Sequence, residues 1–123
     1  KIKLTEIRDA NQKLAIEKRK EIEAENLQRQ IGAKDYIIIL DLHGESLTSE
    51  ALAGYLGHLD CESSLIPTFI IGGPFGLDEK FLNTADKTIS LSTLTLTHEL
   101  ARLLWLEQIY RAHCILNHLP YHH

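Results

Sequence analysis

Hydrophobic positions recur along the chain with two different periods. Ile2 and Leu4 alternate with Lys3 and Thr5, the pattern of a half-buried strand. Residues 11–31 then read as a helix: Leu14, Ile16, Ile22, Leu27 and Ile31 stand among many charges, a thin apolar stripe on a mostly solvated cylinder. Gly32 is its expected stop. Tyr36-Ile37-Ile38-Ile39-Leu40-Asp41-Leu42 is a continuous run of the kind that suits a strand buried on both faces, and His43-Gly44 should end it. Thr48 or Ser49 can cap a helix carrying Leu52, Leu56 and Leu59. Pro67 precedes a second buried run, Thr68-Phe69-Ile70-Ile71, which opens into Gly72-Gly73-Pro74-Phe75-Gly76, with a short helix over 78–84. From Ile89 to Leu96 the alternation slips phase between Leu91 and Leu94, which predicts a strand passing into a turn or bulge. Thr97 caps a long helix over 98–117. Apolar residues cover most of its circumference, so burial on more than one side is expected, the second side against another subunit.

The order β-α-β-α-β-α-β-α predicts an α/β fold with a mainly parallel sheet flanked by helices. Ligands of such sheets bind beyond the carboxyl ends of the strands. Three ends are candidates: Leu40–Gly44, Ile71–Gly76 and Leu91–Leu96.

Composition narrows the class. With 123 residues, 44% hydrophobic and 24% charged, the chain is expected to form one globular domain over 1–123. No run approaches the roughly 18 apolar residues of a membrane span. Cys61 and Cys114 fit neither a disulfide framework nor a zinc spacing, so they read as small core residues of a cytoplasmic protein. Because the chain opens at Lys1 inside a strand pattern and has no Met, an N-terminally incomplete domain is expected.

Charge is uneven within the net of −4. The first thirty residues hold eight Lys/Arg and six Asp/Glu, whereas residues 31–123 hold five against eleven. A nucleic-acid binder usually carries a basic excess, and this chain lacks one. Five of the seven histidines crowd the last 26 residues, beside Arg102 and Arg111.

The candidate chemistry lies in the second half. Glycines after a buried strand let backbone approach a ligand, although any tight strand-to-helix turn needs them equally. There is no GxGxxG fingerprint and no Walker lysine. Leu91–Leu96 holds no titratable group, so it would grip an apolar ring through its amides and carbonyls, or else serve as a bulged edge strand. His98 and Arg102 share one helix face, and Glu107 and Arg111 repeat the spacing, either as surface ion pairs or as a working polar cluster. Pro120 stiffens a tail that offers the Tyr121 phenol and the His122 imidazole, a group that titrates near neutrality. His118, His122 and His123 have no acidic or cysteine companion, so no metal is expected.

Four stretches taken in order resemble a known family. They are Phe69-Ile70-Ile71-Gly72-Gly73-Pro74-Phe75-Gly76-Leu77, Ile89 to Arg102, Leu106-Glu107-Gln108-Ile109-Tyr110-Arg111-Ala112, and Pro120-Tyr121-His122. The family is that of the bacterial ribosomal RNA large subunit methyltransferase H enzymes, in the SPOUT superfamily of trefoil-knotted methyltransferases. The resemblance implies a C-terminal trefoil knot that binds S-adenosyl-L-methionine, and a homodimer with active sites at its interface. It also implies methylation of N3 of a pseudouridine in large-subunit ribosomal RNA, on assembled ribosomes. Mapped by motif, it puts cofactor contacts on Leu40, Gly72, Leu91, Ser92, Thr93, Leu94, Thr95 and Leu96.

Within that implied reaction His122 is the expected general base. Tyr121 and Arg111 would orient the acceptor or steady its carbonyl oxygens, and His98 and Arg102 would contact RNA across the dimer. The chain departs from the family at Phe75, usually acidic or small and polar, at Thr97, usually Pro, and at His123, usually basic; members also carry a strand and a helix ahead of the segment that starts at Lys1. Two other readings stay open: a SPOUT enzyme acting on another RNA such as transfer RNA, and a non-catalytic α/β module that binds a ligand at the Gly72–Gly76 turn.

Overall fold

Successive residues of a strand face opposite sides of its sheet. Ile37 and Ile39 turn to one face, where they meet Ile70, Leu77 and Phe81. Ile38 turns to the other, against Leu52, Leu59, Ile89 and Trp105. Both faces are covered, which is why the isoleucine run shows no polar alternation. The structure, a computed structural model, describes residues 2–61, 64–73 and 75–123. Its elements are α1 (Ile16–Gln30), β1 (Asp35–Ser46), α2 (Ser49–Cys61), β2 (Ile66–Ile71), α3 (Glu79–Leu82), β3 (Lys87–Ser90) and α4 (His98–Leu116).

The sheet is wholly parallel, in the order β2-β1-β3, with Ile38 opposite Phe69 and Ile39 opposite Ile70. Ala24 and Leu27 of α1, Ile31 just after it, and Phe81 of α3 cover the Ile37–Ile39 face. Helices α2 and α4 cover the other, where the rings of Phe69 and Trp105 meet edge-on at 4.8 Å. Asp86 ties β1 to the entry of β3: its amide donates to the carbonyl of Ile37 at 2.9 Å, and its carboxylate accepts from the Ile37 amide at 2.8 Å. The expected α/β class with parallel strands and flanking helices holds.

Several expectations are corrected. Residues 2–10 form no strand and leave Ile2 and Leu4 exposed. Alternation alone makes no strand without a neighbour to take the backbone hydrogen bonds. Instead the segment runs beside β2 and Gly72-Gly73 across a cavity of about 690 Å³, held by the Ala10 amide on Glu23 Oε2 at 3.1 Å. The observed order is therefore α-β-α-β-α-β-α. Helix α1 begins at Ile16, after a turn closed by the Leu14 amide on the Asn11 carbonyl, and ends at Gln30 with Ile31 extended, so Gly32 is not its cap. As expected, α1 buries no residue fully.

Strand β1 does not stop at His43-Gly44. Its pairing with β3 shifts between Leu40 and Glu45 and resumes at Glu45 and Ser46. The bulged stretch crosses β3 so closely at Gly44 that a Cβ there would lie 2.7 Å from backbone atoms of Thr88 and Ile89. Thr48 caps α2, its hydroxyl oxygen accepting from the Ala51 amide at 3.1 Å. Thr97 caps α4, accepting from the Leu100 amide at 3.3 Å. The slipped alternation is met: β3 ends at Ser90 and 91–97 run irregularly.

Cys114 is buried, but Cys61, at the end of α2, is exposed. Helix α4 was expected to be buried on two sides. Within one chain only Trp105, Ala112 and Cys114 are fully buried, and Leu100, Leu103, Leu106 and Tyr110 stand exposed.

Candidate functional site

The carboxyl ends of the three strands converge. Beyond β1 come Leu40, Asp41 and Leu42, beyond β2 Gly72 and Gly73, and beyond β3 the irregular segment from Leu91. Together they line a cavity of about 220 Å³, closed on one side by Leu77 and on another by His98 and Ala101 of the first turn of α4. Seven of the eight residues expected to touch a cofactor line it: Leu40, Gly72, Leu91, Ser92, Leu94, Thr95 and Leu96. Thr93 does not. Asp41, Leu42, Gly73, Leu77 and Ala101 also line it, though none was named as a cofactor contact; the first three fall within the strand ends read from the sequence, and Leu77 and Ala101 within the stretches that carry the resemblance.

Local chemistry shapes the walls. The Ser90 hydroxyl donates to the Ser92 carbonyl at 3.0 Å, and the Ser92 hydroxyl oxygen accepts from the Leu94 amide at 2.9 Å, so an uncharged segment is held in a tight, non-strand course. The Gly73 carbonyl accepts from the Gly76 amide at 3.0 Å and closes the glycine turn; Pro74 of that motif lies outside the described residues. A Cβ on Gly72 would lie 2.8 Å from Leu77 Cγ, so the cavity wall there is bare backbone and any side chain would have to displace Leu77.

This donor set can be tested against S-adenosyl-L-methionine. Leucine side chains offer faces for an adenine ring, and unpaired strand-end backbone offers its polar edge. Among the described residues no lysine or arginine lines the cavity and Asp41 is its one carboxylate, suited to a cationic ligand. The residues fit a sulfonium-bearing nucleoside.

A second polar cluster lies towards the other end of α4. Arg111 donates twice to Glu107 Oε1, from Nε at 3.0 Å and from Nη2 at 2.7 Å. Tyr121 adds its hydroxyl to the same oxygen at 3.1 Å, and Gln108 Nε2 takes Oε2 at 2.8 Å. The Arg111 guanidinium also lies over the Tyr121 ring, 4.8 Å from its centre. These donors, Arg111 foremost, hold the Glu107 carboxyl below the usual carboxylate range. Glu107 in turn holds Arg111 charged and pushes the Tyr121 phenol up. The remaining Arg111 nitrogen, Nη1, stands 3.0 Å from His122 Nδ1, and His122 Nε2 stands 2.7 Å from Glu50 Oε1 on α2.

The structure thus brings Arg111, Tyr121 and His122 together, as expected, around two carboxylates of which only Glu107 carried a spacing signal. It does not bring them to the cavity of their own chain, since none of the three lines it. Ala101 lines the cavity, and Arg111 lies ten residues further, roughly 15 Å along the helix axis. His98 lines the cavity and pairs with Glu99 at 3.3 Å, while Arg102 lines the adjoining larger cavity, which shares Gly72 and Gly73, and donates to Glu6 Oε1 at 2.7 Å.

Comparison with known proteins bears on this geometry. Residues 1–122 match a family model described as "Predicted SPOUT methyltransferase". The chain is 43% identical, over 122 residues, to a protein of Desulfovibrio desulfuricans named "Ribosomal RNA large subunit methyltransferase H", a match covering 99% of this chain and 78% of the relative. Proteins of the same name from Lawsonia intracellularis and Halothermothrix orenii are 41% and 45% identical, covering 97% and 87% of this chain and 76% and 67% of theirs.

Proposed function

The chain belongs to the SPOUT methyltransferase family, and from that membership and its cavity we propose that it methylates large-subunit ribosomal RNA, using S-adenosyl-L-methionine, at N3 of a pseudouridine in the assembled ribosome. The observation that carries the reading is the meeting of Leu40, Gly72 and the 91–96 segment at one strand-end cavity with the chemistry of a sulfonium nucleoside's binding site. The relatives' printed names supply the class of acceptor. A net acidic chain fits an acceptor recognised by the shape of a large particle better than one recognised as free RNA. No helix among the described residues is long and apolar enough to cross a membrane, and the proposed site of action is the cytoplasm.

The active form is a homodimer. Leu100, Leu103, Leu106 and Tyr110 form an exposed apolar stripe between the cavity and the Arg111 cluster, and a stripe of this kind marks an interface. Packing two α4 helices antiparallel sets the cavity of one subunit beside the Arg111–Tyr121–His122 cluster of the other, which answers the separation found within one chain. The threaded C-terminal knot belongs to the same reading.

The cofactor would be held by Leu40, Gly72 and the backbone of 91–96, and when bound it supplies an already activated methyl group. The protein's share is therefore positioning and proton removal. Arg111 and Tyr121 face the acceptor's carbonyl oxygens, where charge grows as its N–H proton leaves. His122 takes that proton. His98 and Arg102 meet RNA phosphates, Arg102 exchanging the Glu6 carboxylate for phosphate oxygen.

The test is transfer of labelled methyl from S-adenosyl-L-methionine to 70S ribosomes, separated subunits and transfer RNA, followed by nucleoside analysis of the product. Label on a large-subunit pseudouridine N3 is the expected result. Label on transfer RNA alone overturns the acceptor, and saturable cofactor binding without transfer to any RNA favours a binding module.

A further inference from the structure

His122 is held by two partners that each constrain its protons. Arginine has five N–H donors and no acceptor, so His122 Nδ1, facing Arg111 Nη1 at 3.0 Å, must be the accepting nitrogen. A neutral imidazole with a bare Nδ1 carries its proton on Nε2, and that nitrogen faces Glu50 Oε1 at 2.7 Å. The two contacts come from different helices and demand the same tautomer.

We propose that Glu50 is a positioning residue for His122, a carboxylate that receives the Nε2–H, fixes the ring so that Nδ1 is its basic nitrogen, and stays paired with the ring once it is protonated. The proposal rests on the methyl-transfer reading above. Glu50 is well placed for this. It stands in the first turn of α2, which the Thr48 cap shapes, and the neighbouring Ser49 hydroxyl donates to Gln108 Oε1 on α4 at 2.8 Å. The backbone bearing Glu50 is thus pinned to the helix bearing Arg111. The hydrogen bond to His122 lowers the Glu50 carboxyl, which keeps it anionic at neutral pH. The charged groups around His122 are Glu50 from α2 and Arg111 from α4, with Glu107 behind Arg111 and in contact with Tyr121 of the same tail.

The arrangement follows the logic of a carboxylate that orients a histidine base. In the resting chain Arg111 Nη1 covers Nδ1. The acceptor's carbonyl oxygen draws Nη1 away while Nε and Nη2 keep Arg111 anchored on Glu107, and the bare Nδ1 then meets the acceptor N–H. That proton passes to Nδ1, and the N–H electron pair stays on the ring nitrogen and forms its bond to the methyl carbon. The pair of the broken carbon–sulfur bond remains on sulfur. The imidazolium, paired with Glu50, returns its proton to solvent.

Two measurements on the whole protein test this. The first is two-bond ¹⁵N–¹H correlation of the imidazoles at about pH 8, above the ordinary histidine range, in wild type, Glu50→Ala and His122→Ala, the last to assign the signal. The Nε2–H tautomer should dominate His122 in wild type; Arg111 still demands it in Glu50→Ala, but the Nε2 and Hε2 signals should move to those of an N–H without a carboxylate partner. A wild-type ring protonated on Nδ1, or Nε2 signals unchanged in Glu50→Ala, overturns the proposal.

The second is a double-mutant cycle on methyl transfer to ribosomes. Glu50→Ala should lower kcat on the order of ten- to a hundredfold with KM for S-adenosyl-L-methionine unchanged. In the His122→Ala background it should cost less than about twofold, because the pair acts as a unit. Full additive losses, or a kcat within about twofold of wild type in Glu50→Ala, overturn the role while leaving the methyltransferase reading intact. A wild-type protein that shows the tautomer and the Nε2 signal change in Glu50→Ala but moves no methyl group overturns the reaction instead.

Discussion

Glu107 and Arg111, one turn apart on α4, are joined by two hydrogen bonds to a single carboxylate oxygen, at 3.0 and 2.7 Å, and that oxygen also receives the Tyr121 hydroxyl. The shared oxygen makes Glu107 the hub on which the C-terminal tail is aligned. Glu107→Gln keeps the size but loses the charge that gathers these donors. Its kcat for methyl transfer should fall on the order of ten- to a hundredfold, while calorimetry should find cofactor affinity within about twofold of wild type.

The same pair predicts a pH dependence. The Glu107 carboxyl is held below its ordinary value of 4.5, so its contribution to stability is fully present above that value and is lost as pH falls through the depressed one. Thermal melts of wild type and Glu107→Gln should therefore differ most near neutrality and converge in acid, below the ordinary carboxylate range. A gap that is constant across that range would mean that Glu107 contributes by packing alone.

Gly44 lies where the bulge of β1 crosses β3, with backbone atoms of Thr88 and Ile89 2.7 Å from any added Cβ. Backbone paired in a sheet cannot step aside as a side chain can. Gly44→Ala should cost about 1–3 kcal/mol, read from the urea midpoint, whereas Gly54→Ala, which meets nothing within 4 Å, should leave stability equal or higher.

Gly72 tests the cavity. An added Cβ would lie 2.8 Å from Leu77 Cγ, so the buried Leu77 side chain must shift to admit it. Gly72→Val should fold, since the position is not within a strand, but should lose S-adenosyl-L-methionine affinity by more than about tenfold in calorimetry.

Leu103 tests the dimer. It stands 66% exposed on α4, between Leu100 and Leu106. Leu103→Glu should leave the monomer fold intact and weaken self-association by at least about a hundredfold, so that light scattering reports monomers where wild type gives dimers. Methyl transfer should fall with it, because the proposed site takes its halves from two subunits.

Much of this was legible in the chain. The Tyr36–Leu42 run announced a strand covered on both faces, and the slipped alternation after Ile89 announced the irregular segment that lines the cavity. Thr97 marked the start of α4. The failures have physical causes. Ile2 and Leu4 had the right alternation but no neighbouring strand to pair with, and His43-Gly44 looked like a terminus because the renewed pairing of Glu45 with Ile89 involves residues 44 positions apart. Cys61 was read as core because cysteine often is, yet it falls at the exposed end of α2.

Periodicity is local, so the sequence by itself determined the type of most elements, the faces they bury and the strand ends that meet at the cavity. Only the tertiary structure decided which polar groups meet. Glu50 and His122, 72 residues apart, touch because α2 packs along α4 and the tail folds back over both. A lone exposed-looking glutamate and a terminal histidine carry no mutual signal along the chain, because a hydrogen bond depends on distance in space and a pattern depends on distance in sequence.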